Sequence, residues 1–177
     1  MDKLQFNIRK YLWLGAIWLL GCHADLRTKD WAASQLKEVG AIEVLPYWFE
    51  LRYVENNAIA FSFLHSLAEE IRLPLIFGLS TMAAVLLLAL LWHWRHREFT
   101  ILLPLVLILS GAFGNILDRI SNGFVIDFLH VHYQYQYSFP VFNIADILIL
   151  IGFGLLFYQH WNDPSPSDTP PAENVSH

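Results

Sequence analysis

The sequence predicts a membrane α-helical protein with four transmembrane helices, a small outward antiparallel sheet and a short surface helix. Three observations carry that reading. Apolar residues make up 55% of the chain and charged residues only 15%, against about 25% charged in an ordinary soluble domain. Two long runs, 73–92 and 99–117, contain no charged side chain, and each is close to the ~20 residues that cross a bilayer as a helix. Five of the eleven Lys and Arg residues are crowded into two short segments, the asymmetry that sets membrane orientation. The 177 residues fit one domain. A single cysteine, Cys22, excludes a disulfide scaffold, and a net charge of −5 argues against a nucleic-acid partner.

Taken in order, the first helix is expected near 11–30, where the apolar run continues through Asp25 toward Trp31. The second and third are the uncharged runs 73–92 and 99–117, and the fourth is 141–161, with Asp146 as its only charge. Lys3, Arg9 and Lys10 precede the first helix, and Arg95 and Arg97 lie in the turn between the second and third. These ends face the cytoplasm by the positive-inside rule. The long connections 31–72 and 118–140 then face outward, and both termini are cytoplasmic. Residues 162–177, rich in Pro, Ser and Asp, read as a disordered tail following a single domain over 1–161.

The outward connections carry strand patterns. Phe49, Leu51 and Tyr53 alternate with Glu50 and Arg52, the mark of a half-buried strand. Asn56-Asn57 is expected to turn it toward a second strand near 59–63. Val131, Tyr133, Tyr135, Tyr137 and Phe139 alternate with polar residues and predict one strand with an aromatic face, suited to headgroup level. Residues 66–72 suggest a short amphipathic surface helix.

Ionisable groups at membrane depth are functional candidates by default. Asp25 and Lys29 are spaced i,i+4 with the acid first, a favourable helical pair, although snorkelling into water would explain them as well. Asp127 stands among apolar neighbours in Phe124-Val-Ile-Asp-Phe-Leu129, and Asp146 opens the fourth helix with Asn143 one turn before it. Two carboxylates held close together share a proton, because one pKa is raised. Such a pair can deprotonate water and protonate a carbonyl or a leaving amine, while two separated acids would be solvated caps. Gly111 and Gly114 make a small face for close helix packing. Asn115 and Arg119, spaced i,i+4, share a face at the outer end of the third helix, either as fixed donors beside a carboxylate site or as ordinary helix packing with an interfacial charge pair.

Five blocks in order then match one known family. They are Asp25-Leu-Arg-Thr-Lys29, Asn56-Asn-Ala-Ile-Ala-Phe-Ser62, Gly114-Asn-Ile-Leu-Asp-Arg119, Gly123-Phe-Val-Ile-Asp-Phe128 and Phe142-Asn-Ile-Ala-Asp146. The chain resembles lipoprotein signal peptidase, or signal peptidase II. The resemblance implies an aspartic endopeptidase of the bacterial inner membrane that cuts the signal peptide from prolipoproteins just before a diacylglyceryl-modified cysteine. It implies Asp127 and Asp146 as the catalytic dyad, with Asp25, Lys29, Asn56, Asn115, Asp118, Arg119 and Asn143 supporting the dyad or binding substrate. It also implies four transmembrane helices with an outward β-cradle, no cofactor and no metal. The partners expected are prolipoproteins and membrane lipids, with no nucleic acid, and the protein is expected to be a monomer. Ala58 stands where the family has glycine, so the 56–62 loop is expected to take an adapted path.

Three alternatives compete with this reading. Leu19-Leu-Gly-Cys22 after a basic start resembles a lipobox, which would make the chain a lipoprotein lipidated at Cys22. His130-x-His132 near Asp127 offers ligands for a metal hydrolase, but there is no His-Glu-x-x-His helix. A non-enzymatic four-helix membrane protein would place its acids near the midplane, whereas here they cluster at one edge.

Overall fold

The structure, a computed structural model, describes residues 3–57 and 69–162. Four helices and four strands follow in chain order: α1 (Lys3–Leu36), β1 (Ala41–Leu45), β2 (Phe49–Asn56), α2 (Glu69–His93), α3 (Phe99–Asn122), β3 (Val125–Tyr133), β4 (Tyr137–Ser138) and α4 (Ile144–Asn162). The predicted strand at 59–63, the Ala58 loop, residues 66–68 of the predicted surface helix and the tail beyond Asn162 lie outside the described residues. Residues 69–72, assigned from sequence to that surface helix, form the opening turn of α2 instead.

Among the described residues, three helical stretches are long and apolar enough to cross a membrane: Pro74–His93, Phe99–Asn122 and Ile144–Asn162. The sequence reading expected four. The difference is α1, whose 34 residues make it about 51 Å long but whose apolar run is interrupted by Asp25, Arg27, Lys29 and Asp30. Large apolar side chains face outward all along the bundle, among them Leu20, Leu86, Leu150, Phe157 and Trp161, each more than 60% exposed. Such a surface is inverted relative to that of a soluble domain and suits hydrocarbon.

α3 is the central helix, packed against α4, α1 and α2. Gly111 is where it meets α4: a Cβ there would run into the Ala145 carbonyl oxygen and the Ile149 side chain. Gly114 is where it meets α1, with the Asp25 carboxylate over its Cα. The small face predicted at these glycines therefore allows two helix contacts at once. At the opposite end, Lys10 Nζ donates to the carbonyls of Arg95 and Arg97, at 2.9 and 3.0 Å, tying α1 to the α2–α3 turn.

The four strands form one antiparallel sheet in the order β1-β2-β3-β4. The strand predicted at Phe49 is β2, and its neighbours are β1, which the sequence reading left as loop, and β3. The single aromatic strand predicted over 131–139 is a hairpin. β3 ends at Tyr133, and the chain reverses through Gln134 and Tyr135, at φ 50° and 59°, before β4. Gln136 N–H donates to the Tyr133 carbonyl at 3.0 Å across this turn. On one face of β3, Ile126 and Phe128 pack with Ala32 and Leu36, so the last turns of α1 form a floor for the sheet. The segment before α4 pairs with β3 through Phe142 and Leu129, each N–H donating to the other's carbonyl, and so brings Asn143 beside Asp127.

Candidate active site

All nine residues singled out from the sequence converge at the end of the bundle beneath the sheet. Period-2 geometry turns Asp127 to the face of β3 opposite Ile126 and Phe128, into a cleft of about 780 Å³. The cleft is bounded by Asn56, Asn115, Arg119, Asp127 and Asp146 on its polar side and by an apolar wall from α2 and α4.

Asp146 is fixed by the way α4 begins. Asn143 is the residue before the helix. Its Oδ1 accepts from the Asp146 N–H at 3.0 Å, and the Asp146 carboxylate accepts from the Asn143 N–H at 3.2 Å. This is a reciprocal capping box, which satisfies two amides the helix leaves unpaired and locks both side chains. With its oxygen turned to the helix, the Asn143 amide must present Nδ2 the other way, and it donates to Asp127 Oδ1 at 2.6 Å. Asn56 Nδ2 donates to the other oxygen, Asp127 Oδ2, at 2.7 Å.

Asn115 links the two carboxylates to a buried ion cluster. Its Nδ2 donates to Asp146 Oδ1 at 3.0 Å, and its Oδ1 accepts from Asn143 Nδ2 at 3.2 Å and from Lys29 Nζ at 2.8 Å. Lys29 also pairs with Asp25 at 2.7 Å and with Asp118 at 3.0 Å. Asp25 and Lys29 are 0% and 1% exposed, so snorkelling does not describe them. Asp25 accepts from the Ala145 N–H at 2.8 Å and Asp118 from the Ile126 N–H at 3.1 Å. The cluster thus ties α1 and α3 to the backbone on either side of the two cleft acids. Arg27, by contrast, stands in water with Asp30 at 3.9 Å. Arg119 Nη1 donates to the Asn115 carbonyl at 3.1 Å while the side chain lines the cleft.

The surroundings hold Asp127 partly protonated. Burial pushes its pKa from 3.8 up to about 7, and the neighbouring Asp146 charge adds to this. The hydrogen bonds from Asn56 and Asn143 pull the other way. A carboxyl poised near neutral pH beside a second carboxylate can act as a proton donor. The sequence reading missed the backbone amides of Ile126 and Ala145, which carry no residue-type signal, and the apolar wall formed by Leu86, Leu87, Ile149 and Phe153. Cys22 is buried within α1, with its Sγ 3.5 Å from the Ser110 carbonyl oxygen. A second groove, of about 620 Å³ between Tyr11, Trp18, Leu91 and Trp92, lies toward the other end and has no carboxylate in its lining.

Residues 17–162 match the family described as Signal peptidase (SPase) II. The chain is similar to the lipoprotein signal peptidase of Syntrophotalea carbinolica, with 41% identity over 142 residues, covering 78% of this chain and 84% of that one. The lipoprotein signal peptidase of Acinetobacter baumannii is 36% identical over 170 residues, 93% of each chain. That of Pseudoalteromonas translucida is 35% identical over 172 residues, 95% of this chain and 98% of that one. The fold is similar to a solved bacterial membrane enzyme, with a TM-score of 0.71 at 24% identity, covering 85% of this chain and 94% of that one.

Proposed function

The chain belongs to the signal peptidase II family, and from that premise we propose that it cleaves prolipoproteins with Asp127 and Asp146 as an aspartic dyad. It is a membrane protease that removes signal peptides from prolipoproteins. One observation supports the dyad above all: two carboxylates from different elements line one cleft and both are held by Asn143, which donates to Asp127 from its side-chain amide and to Asp146 from its backbone N–H.

In the proposed reaction, Asp127 carries the shared proton and Asp146 is the base. Asp146 takes a proton from a water molecule as the water oxygen attacks the scissile carbonyl carbon. Asp127 gives its proton to the carbonyl oxygen, and a neutral tetrahedral diol results. Asp127 then recovers a proton from one hydroxyl, Asp146 passes its proton to the leaving nitrogen, and the C–N bond breaks. Asn56 and Asn143 hold Asp127 in place through both stages. Asn115, polarised by Lys29, does the same for Asp146. Arg119 offsets the negative charge of the site and has donors free to orient a substrate carbonyl.

The substrate proposed is a prolipoprotein cut just before a diacylglyceryl-modified cysteine, its acyl chains lying on the apolar wall of Leu86, Leu87, Ile149 and Phe153. In the topology proposed, α1 is a fourth crossing of the bacterial inner membrane, both termini are cytoplasmic and the cleft opens near the outer face. The positive-inside distribution of Lys and Arg supports this, as does the internal pairing of the charges on α1. Incubating the purified protein with a diacylglyceryl-modified prolipoprotein tests the reading by mass spectrometry. The expected result is a mass loss equal to the signal peptide, absent with Asp146→Asn. Cleavage that persists with Asp146→Asn would remove the dyad.

A further inference from the structure

We propose that Glu50, His130 and His132 form a binding site for one borderline divalent cation of the Zn²⁺ type, on the face of the sheet turned away from Asp127. Glu50 lies directly opposite His130 in the β2–β3 register, and His132 is two residues on, so the three side chains share a face. One ligand atom from each can be chosen so that all three lie within 4.8 Å of one another. All three residues are buried, at 2%, 4% and 2% exposure.

His132 is the observation that points to a ligand. Both of its ring nitrogens are shielded from solvent, and among the described residues neither has a hydrogen-bond partner. Buried imidazoles are ordinarily bonded at one nitrogen at least. The ring is held in place without those bonds, stacked on Tyr135 at 4.1 Å between centroids and set 5.0 Å from the His130 ring. Two imidazoles and a carboxylate suit Zn²⁺ and its neighbours in the first transition row rather than Ca²⁺ or Mg²⁺.

The surrounding bonds are those expected around metal ligands. His130 Nε2 lies 2.7 Å from Ser138 Oγ, and the Tyr135 hydroxyl donates to Glu50 Oε2 at 2.8 Å. Both contacts orient ligands from behind. His130 Nδ1 and Glu50 Oε1 are 2.7 Å apart, a separation bridged by one proton. The cation takes the place of that proton, the imidazole carries its one proton on Nε2 instead, and Nε2–H donates to Ser138 Oγ, so the ring stays neutral. The Nδ1–metal and Oε1–metal bonds, each about 2.0–2.2 Å, require the pair to open only slightly. No electrons move. The competitor is Arg52, whose Nε is 2.6 Å from Glu50 Oε1; its side chain is 41% exposed and can turn outward.

Such an ion would clamp β2 to β3 and, through Ser138, to β4. It would leave the dyad untouched, because Asp127 faces the other way. The test is to titrate the full-length protein, purified in detergent without a polyhistidine tag and stripped of metal, with Zn²⁺ alone in a calorimeter. The expected result is one equivalent bound, a rise in melting temperature, and unchanged prolipoprotein cleavage. His132→Ala and Glu50→Gln should each weaken binding at least about tenfold, and Arg52→Gln should tighten it. Should Glu50→Gln fail to fold, His132→Phe keeps the stack on Tyr135 and must still lose the ion. No stoichiometric binding by the wild-type protein, or binding undiminished in His132→Ala and His132→Phe, would overturn the proposal.

Discussion

One amide, that of Asn143, makes four connections: its oxygen caps α4, and its nitrogen reaches Asp127, Asn115 and the Ile126 carbonyl. A side chain so constrained holds the two carboxylates in fixed relation, which is what proton transfer between them and a substrate requires. Asp127→Asn and Asp146→Asn should each lower the cleavage rate by at least about a thousandfold, and the double variant should be no worse, since groups that act as a unit are non-additive. A single-turnover assay on one lipid-modified substrate reads this directly. In the proposed mechanism Asp127 must donate a proton, so activity should fall as pH rises through about 7. The Asn56 hydrogen bond favours the ionised form. Asn56→Ala should therefore move that alkaline limb to higher pH as well as slow the reaction, and an unmoved limb would assign it to another group. The same raised pKa has a stability consequence. Between about 4 and 7 the folded state binds more protons at Asp127 than the unfolded chain does, so its stabilising effect is complete at low pH and declines as pH rises through this window.

At the scale of the element, the two glycines on α3 decide how the site closes. Gly111→Ala would drive α3 away from the Ala145 carbonyl. Overpacking of this kind costs about 1–3 kcal/mol, and the shift separates Asn115 from Asp146. The expected outcome is a lower melting temperature with a disproportionate loss of cleavage; a variant that melts lower but cuts normally would show that α3 and α4 adjust without disturbing the dyad. The two uncharged runs and Asp146 made α2, α3 and α4 legible from sequence, because apolar length is a strong signal. β1 was not legible as a strand, since its partner is set by the turn Leu45-Pro-Tyr-Trp48, where Tyr47 takes φ 70° without a glycine to announce it. The β3–β4 reversal was hidden for the same reason: Gln134 and Tyr135 take left-handed conformations that Asn-Gly would have advertised. Gln134→Gly should relieve that conformation and raise stability by up to about 1 kcal/mol, measured by thermal unfolding.

Across the whole molecule, the site residues were legible because polar groups in apolar surroundings stand out, whereas their wiring was not. Asp25 and Lys29 read as a pair from spacing alone, but nothing in the sequence links Lys29 to Asp118 or Asn115, since those bonds arise only when α1 meets α3. The proposed orientation can be checked on intact cells. With Cys22 replaced by Ser, Val44→Cys on the exposed face of β1 should react with a membrane-impermeant maleimide from outside, while a reporter fused after His177 stays cytoplasmic. An externally accessible C-terminus would give α1 a different path.

The internal pairing of α1 also bears on how such a protein is made. A ribosome delivers Asp25 and Lys29 to the membrane before α3 exists, yet they emerge one helical turn apart, already of opposite sign and already partners. α3 follows with Asp118 and Arg119 side by side, again one charge of each sign. The two cleft acids, Asp127 and Asp146, have no Lys or Arg close to them in the chain and are translated after both of these helices. In the proposed topology α1 and α3 thus enter the bilayer near electrical neutrality, and the uncompensated charge arrives only after both helices, which support it, have been synthesised.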